Sequence, residues 1–108
     1  MRTILITLNL PFAFWLAGSA WAADVTAGQA VYDKSCKTCH GSDGTPNAGV
    51  AKALNADIKD LRSAEVQGMS NDQIKKVVAE GKGKMRAVKT VAGGDLDNVA
   101  AYVHTLKK

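Results

Sequence analysis

The strongest constraint in this sequence is the placement of its two cysteines, Cys36 and Cys39, with His40 directly after the second. Residues three and four positions apart lie on the same face of an α-helix, so a single helical turn would present all three side chains on one side. Two thiols can then bind one edge of a flat ligand while the imidazole reaches a metal at its centre. The spacing therefore predicts one cofactor held by three neighbouring side chains.

Cys-x-x-Cys-His is the signature of c-type haem attachment. We predict that Cys36 and Cys39 form the covalent thioethers to one haem c and that His40 is the proximal iron ligand. A redox dithiol of the thioredoxin type shares the cysteine spacing, but it normally follows a β-strand, and no strand pattern precedes Cys36. A zinc site is a weaker alternative, because His104 is the one histidine left to complete it.

The haem iron has a second axial position, for which the sequence offers Met69, Met85 and His104. Met85 lies in a Gly-rich loop that can bring its thioether over the haem face. Met69 precedes a helix cap and is more simply explained by packing against Ile74, and His104 by a solvent-facing place on the last helix. We predict Met85 as the distal ligand. His/Met ligation fills both axial positions and raises the reduction potential relative to nitrogen-only ligation.

Residues 1–22 have the three parts of a secretory signal peptide: a positive start at Arg2, an apolar stretch over residues 4–16, and small residues that end at Ala22. The alternative is an uncleaved membrane anchor, but the apolar stretch barely reaches the roughly 20 residues that cross a bilayer. We predict cleavage after Ala22, which leaves residues 23–108 as one exported domain, in the simplest case in a bacterial periplasm.

The domain that remains after cleavage has few large apolar side chains. Its aromatic residues are Tyr32 and Tyr102, and its other apolar residues are mainly Ala, Val and Leu. A domain of this size is marginally stable unless a disulfide, a metal or a cofactor supplements its core. A haem would supply the missing apolar volume.

Apolar residues recur with helical spacing, and strand-like alternation is absent from the sequence, which predicts an all-α fold of three main helices. The first helix starts near Thr26, which can form a capping box with Gln29, and it continues through Cys39 until Gly41 and Gly44 break it. Residues 41–67 have weak periodicity, and we expect a long loop there with short turns near residues 50–54 and 63–67.

The second and third helices have clearer limits. The second covers residues 71–80, where Ser70 and Gln73 form another capping box. The third runs from about residue 96 to residue 106, with Asp95 as its N-cap.

Taken together, these residues resemble the class I cytochromes c, in particular the small single-haem cytochromes of bacterial respiratory chains. The resemblance covers nearly all of residues 25–106. It rests on the following residues in chain order: Gly28-x-x-x-Tyr32, Cys36 to Gly41, Asp60-Leu61, Gly81-x-Gly83-x-Met85 and Tyr102. The resemblance implies a cytochrome c-like fold in which three main helices wrap around one covalently bound haem. It also implies that the first and last helices cross closely at Gly28, near Tyr102.

Two further expectations follow from the resemblance. The family often holds the proximal histidine through the backbone carbonyl of a proline, and Pro46 is the candidate in this chain. The family commonly has proline directly after the distal methionine, whereas this chain has Arg86. We therefore expect a looser Met85 loop, in which a nearby lysine displaces the methionine more easily at high pH.

The resemblance implies a soluble, monomeric electron carrier that passes single electrons between respiratory or periplasmic redox partners and is not an enzyme. Two alternatives stay open at this point. One is a haem protein whose labile sixth site acts on peroxide or nitric oxide. The other is the cytochrome subunit of a larger oxidoreductase.

Cationic residues are concentrated between residues 75 and 89, where Glu80 is the one anion. The six cations are Lys75, Lys76, Lys82, Lys84, Arg86 and Lys89. Because this segment contains Met85, its charge predicts a surface near the haem that attracts acidic redox partners; an ordinary solvated helix face is the alternative. The sequence pI of about 9.2 does not indicate nucleic-acid binding, because no aromatic platform or recognition motif accompanies it.

Overall fold

The structure is a computed structural model that describes residues 23–107. This part of the chain forms six helices and no β-strand. They are α1 (Val25–Ser35), α2 (Lys37–His40), α3 (Ala48–Leu54), α4 (Ala64–Gln67), α5 (Asn71–Glu80) and α6 (Gly94–Val103). The all-α prediction is confirmed, and α1, α5 and α6 are the three main helices. The predicted signal peptide, residues 1–22, lies outside the described residues.

The crossing of α1 and α6 is the centre of the fold. A Cβ atom on Gly28 would lie 2.0 Å from the carbonyl oxygen of Asn98, so only a glycine permits this approach of two backbones. Beside it, the rings of Tyr32 and Tyr102 pack with centroids 5.2 Å apart and an interplanar angle of 56°. The expected close crossing at Gly28 near Tyr102 is confirmed.

The buried side chains form two clusters. The first contains Tyr32, Val78, Val91, Val99 and Tyr102. The second contains Val66, Ile74, Ala100 and Val103. No leucine is buried among the described residues, so the core is as light as the composition predicts.

The capping box of α5 is formed as predicted. The Ser70 hydroxyl accepts from the Gln73 backbone N–H at 3.1 Å, and the Gln73 side chain accepts from the Ser70 N–H at 2.8 Å. The two turns expected within residues 41–67 are the short helices α3 and α4.

The predicted caps of α1 and α6 are wrong. Asp24 caps α1 and accepts from the Ala27 N–H at 3.1 Å, while its own N–H is held by Asn98 at 2.8 Å. This contact with α6 starts the helix before Thr26. At α6, Gly93 occupies the N-cap without a side-chain hydrogen bond, and Asp95 lies in the first turn, where its charge favours the positive end of the helix.

Two helices also end earlier than predicted. The first helix stops at Ser35 and restarts as α2, because Cys36 at the junction has φ −119°. The last helix stops at Val103, after which the chain tightens into a turn in which the Leu106 N–H donates to the Val103 carbonyl at 3.0 Å.

Candidate haem site

The three motif residues lie together at the junction of α1 and α2. The His40 N–H donates to the Cys36 carbonyl at 3.0 Å, and the Cys39 N–H donates to the same oxygen at 3.3 Å. One helical turn therefore contains all three residues, as the spacing predicts. Each side chain is half-buried, and both cysteines are free thiols.

The environment of Cys36 differs from that of a redox dithiol. Burial, and to a smaller extent the nearby Cys39, raises the pKa of the Cys36 thiol to about 11. Reactive cysteines of the thioredoxin type have a lowered pKa, because the thiolate is the nucleophile. The surroundings of Cys36 therefore do not favour the thiolate that dithiol exchange requires.

The His40 ring is oriented by the backbone of Lys59, whose carbonyl oxygen lies 3.4 Å from Nδ1. Because a carbonyl only accepts, Nδ1 carries the proton in this contact, and Nε2 keeps a lone pair for a metal. Burial lowers the pKa of His40, and the weaker effect of the Lys59 hydrogen bond raises it. The imidazole is thus favoured in its neutral, metal-binding form.

The expectation that Pro46 holds His40 is wrong. The Asn47 N–H donates to the Cys39 carbonyl at 2.9 Å, so the chain near Pro46 turns back against the backbone of α2. The later segment at Lys59 meets the ring instead. No spacing rule in the sequence identifies Lys59 as this partner, because its contact with His40 depends on the path of the loop between the two residues.

Tyr32 fixes the turn that directly follows the motif, a role that the sequence did not reveal. Its hydroxyl donates to the Gly41 carbonyl at 2.5 Å. Gly41 has φ +76°, and a Cβ there would lie 2.1 Å from the Thr45 carbonyl oxygen. A buried side chain of α1 and a left-handed glycine therefore hold the backbone next to His40.

Met85 lies in a tight turn after α5. The Lys82 N–H donates to the Met85 carbonyl at 2.9 Å, and the Met85 N–H donates to the Lys82 carbonyl at 3.0 Å. Met85 is half-buried and packs against the first core cluster, which Cys36 also contacts. The structure thus brings the predicted distal ligand and one motif cysteine to the same apolar cluster.

The other two candidates for the sixth position lie elsewhere. Met69 packs against the second cluster, which contains Ile74, and this confirms the packing explanation. His104 is half-buried, so its predicted exposure is wrong. The amide of Gln67 donates to the Val103 carbonyl at 2.9 Å and to the Leu106 carbonyl at 3.2 Å, which covers this end of α6. Within residues 23–107, Nε2 of His104 has no hydrogen-bond partner.

Apolar surface beside the motif fits a flat cofactor. The helices α2 and α3 contain no buried residue, although α3 is composed mostly of apolar residues, and its Leu54 is 52% exposed. Two thiols and a neutral imidazole are the groups that attach and ligate a c-type haem, and the exposed apolar residues of α3 provide apolar surface beside them. Among residues 23–107, no three His, Cys, Asp or Glu side chains converge to ligate a bare metal ion, so this part of the chain has no zinc site of that kind.

Comparison with known proteins agrees with this geometry. Residues 23–103 match the family model described as cytochrome c oxidase, cbb3-type, subunit III. Cytochrome c6 of Synechocystis sp. is 32% identical over 94 residues, which cover 83% of this chain and 72% of that protein. Cytochrome c-554(547) of Halothiobacillus neapolitanus is 31% identical over 91 residues, which cover 80% of this chain and 100% of that protein.

A solved structure shows the same fold. The KustC0563 c-type cytochrome superposes with a TM-score of 0.63 and 30% sequence identity, covering 75% of this chain and 98% of that one. The fold and the motif thus define a small class I c-type cytochrome. The chain belongs to the cytochrome c family that its residues 23–103 match, whose members hold haem c covalently.

The family assignment gives the general function. The chain is a haem-containing electron carrier that exchanges electrons with redox partner proteins and is not an enzyme. Cys36 and Cys39 have the spacing of the haem attachment motif. Over residues 23–107, none of the helices combines the length and the apolar character needed to cross a bilayer.

Proposed function

We propose that the chain carries single electrons in the periplasm through one haem, which Cys36 and Cys39 attach and His40 and Met85 ligate. The supporting observation is that one helical turn contains the three motif residues, while Cys36 and Met85 contact the same apolar cluster. When bound, the haem supplies a one-electron iron couple. The protein residues attach it, orient its ligands and exclude water from its faces.

Each proposed ligand has a distinct function. The Lys59 carbonyl holds the His40 ring so that Nε2 would be available to the iron, and Met85 would supply a soft thioether as the second ligand. An iron held by both residues would have no free coordination site for small molecules such as oxygen or peroxide. This ligand set therefore favours electron transfer over the alternative of peroxide or nitric oxide chemistry.

A spectrum of the purified protein tests the ligand set. The pigment should stay with the protein in acidified organic solvent, and the oxidised form should show the weak near-infrared band of sulfur–iron ligation. Met85→Ala should lose this band and bind carbon monoxide when reduced. Met69→Leu is the matched control and should keep the band. A band that survives Met85→Ala would contradict the assignment.

The cationic segment, residues 75–89, also supports an acidic redox partner. Fewer of its cations are available to a partner than the sequence suggests, because some make contacts within the protein. Lys75 is paired with Asp97 at 2.7 Å and with Asp72 at 3.9 Å. Lys84 donates to backbone carbonyls of α3. Exposed cations remain at Lys76, Lys82, Arg86 and Lys89.

These four cations define the proposed docking surface around the Met85 loop. Opposite charge on a partner would accelerate encounter, and salt would screen it. We expect the electron-transfer rate to an acidic partner to fall steeply as ionic strength rises. A rate that is independent of salt would contradict the docking surface but not the haem assignment.

Export is proposed from the sequence pattern of residues 1–22. The mature protein would begin at Ala23 and act as a monomer in the periplasm. Intact mass and N-terminal sequencing of material from the periplasmic fraction test both the compartment and the cleavage point. A retained leader, or protein held in the membrane fraction, would contradict the proposal.

A second candidate function is a fixed subunit of a larger oxidoreductase. The observation that favours it is the description of the matching family, which names a subunit of a terminal oxidase. Gentle extraction of the native host membranes separates the two candidates. A free carrier should appear alone in the soluble fraction, whereas a subunit should co-purify with other chains in fixed stoichiometry.

A further inference from the structure

We propose that Lys84 is a positioning residue that fastens the Met85 loop to the end of α3 and so joins the two segments that carry the axial ligands. This inference rests on the proposed ligation by His40 and Met85. Lys84 is exposed like the cations of the docking surface, but its ammonium makes hydrogen bonds within the protein.

The contact itself is between a side-chain ammonium and a helix end. Nζ of Lys84 donates to the Leu54 carbonyl at 3.1 Å and also to the Asn55 carbonyl. The last carbonyls of an α-helix have no partner within the helix and carry partial negative charge, which an ammonium satisfies. Asn55 ends α3 in the left-handed conformation, with φ 48°.

On its other side, α3 is bonded to the haem motif. The Asn47 N–H donates to the Cys39 carbonyl at 2.9 Å, and the Asn47 side-chain amide donates to the Thr38 carbonyl at 3.3 Å. Asn47 also caps α3, because its side chain accepts from the first N–H groups of that helix. The helix α3 and the segment that contains His40 are therefore one connected unit.

The Met85 loop is fixed mainly from the side of α5. The reciprocal Lys82–Met85 hydrogen bonds close its turn, and the Val88 N–H donates to the Val78 carbonyl at 2.8 Å. Arg86 stands directly after the methionine and is exposed, so it provides no restraint of the kind a proline would give. Lys84, next to Met85, supplies the restraint toward α3.

Displacement of Met85 by an added ligand tests this inference. Imidazole binds the oxidised haem only when Met85 has left the iron, so its apparent dissociation constant depends on the fraction of open protein. Lys84→Leu removes the donors and keeps an apolar side chain without adding a second thioether beside Met85. We expect its imidazole dissociation constant to be about fivefold to tenfold lower than that of the wild type, because the loop opens more readily.

Lys52→Leu is the matched control, because Lys52 is an exposed lysine on α3 itself and the substitution changes the net charge equally. Its dissociation constant should stay within about twofold of the wild type, since an isolated exposed charge contributes little. Equal constants for the two variants would overturn the inference.

Amide hydrogen exchange gives a readout that does not depend on the iron. Lys84→Leu should accelerate exchange at Asn55 and Met85 relative to Lys52→Leu, because Asn55 is an acceptor in the contact and Met85 directly follows Lys84. A wild-type protein without the near-infrared sulfur band would refute the proposed ligation. A wild type with that band, combined with unchanged exchange and imidazole binding in Lys84→Leu, would refute the function of Lys84 alone.

Discussion

Around the crossing of α1 and α6, protein side chains are buried by other protein side chains, whereas α2 and α3 contain no buried residue. The first region is closed by Gly28, Tyr32 and Tyr102, which meet in direct contact. The second region contains the two thiols, the imidazole of His40 and an apolar helix. The first region is thus stabilised by contacts within the protein, whereas the second offers side chains and apolar surface to which a covalent haem can bind.

Removal of both proposed attachment residues, Cys36 and Cys39, should have the largest effect and would show how far the first region depends on the second. Cys36→Ala combined with Cys39→Ala prevents covalent attachment, and the few buried side chains form too small a core to fold stably alone. We expect this double variant to lose its cooperative thermal transition. Circular dichroism measured during heating tests this expectation. A variant that still unfolds cooperatively without pigment would show that the α1–α6 region is independent of the haem.

Gly28→Ala should strongly destabilise the packed region. The new methyl group would lie 2.0 Å from the Asn98 carbonyl oxygen and 2.6 Å from its carbon, so the helices must separate. We expect a loss of about 3 kcal/mol or more in the free energy of unfolding, measured by denaturant titration of the haem-loaded protein.

Gly94→Ala is the control for Gly28→Ala, because nothing lies within 4 Å of a Cβ at this position in the first turn of α6. Its stability should be unchanged or higher by up to about 1 kcal/mol. Equal effects of the two substitutions would contradict a close crossing at Gly28.

Gly81→Ala should disturb the cofactor region instead. Gly81 has φ +79°, and a Cβ would lie 2.6 Å from the Met85 carbonyl oxygen. We expect a loss of about 1–3 kcal/mol together with a weaker sulfur–iron band, because the turn that carries Met85 must shift.

Gly83→Ala separates the two causes of the Gly81→Ala effect. Gly83 also has a positive φ, +57°, but a Cβ there meets nothing within 4 Å. It should reduce stability by only about 1 kcal/mol and leave the band unchanged. A normal band in Gly81→Ala would show that this glycine does not shape the methionine turn.

The smallest expected effect concerns a helix cap outside both regions. Ser70→Ala should lower the free energy of unfolding by about 1 kcal/mol, because the Gln73 N–H loses its acceptor. Thr26→Ala should have almost no effect, since Asp24 is the cap of α1. Thermal melts of the two variants test this difference, and a larger loss in Thr26→Ala would reverse the assignment of that cap.

The sequence was most informative where contacts are local. Cys36, Cys39 and His40 lie within one turn, and Ser70 and Gln73 are three residues apart, so spacing alone predicts their geometry. For α1, both Asp24 and Thr26 are good capping residues, and the hydrogen bond from the Asp24 N–H to Asn98 favours the earlier start. That partner lies on α6, which no local pattern reveals.

The supports of the proposed ligands were beyond sequence reasoning for the same reason. The Lys59 carbonyl reaches His40 across 19 positions, and Lys84 reaches Leu54 across 30. The acceptor in both contacts is a backbone carbonyl oxygen, which every residue has. The residue type at the acceptor position therefore does not reveal the contact. Their positions depend on how the loop from Gly41 to Gln67 folds, and its weak periodicity predicts only two short turns.

The distance along the chain between the two crossing helices has a consequence for folding. Asp24 and Asn98 are 74 positions apart, so the chain must close a loop of nearly the whole described domain before α1 meets α6. Contacts of this sequence separation form more slowly than the turns of a helix. The crossing should therefore form late in folding, after the local hydrogen bonds of the separate helices.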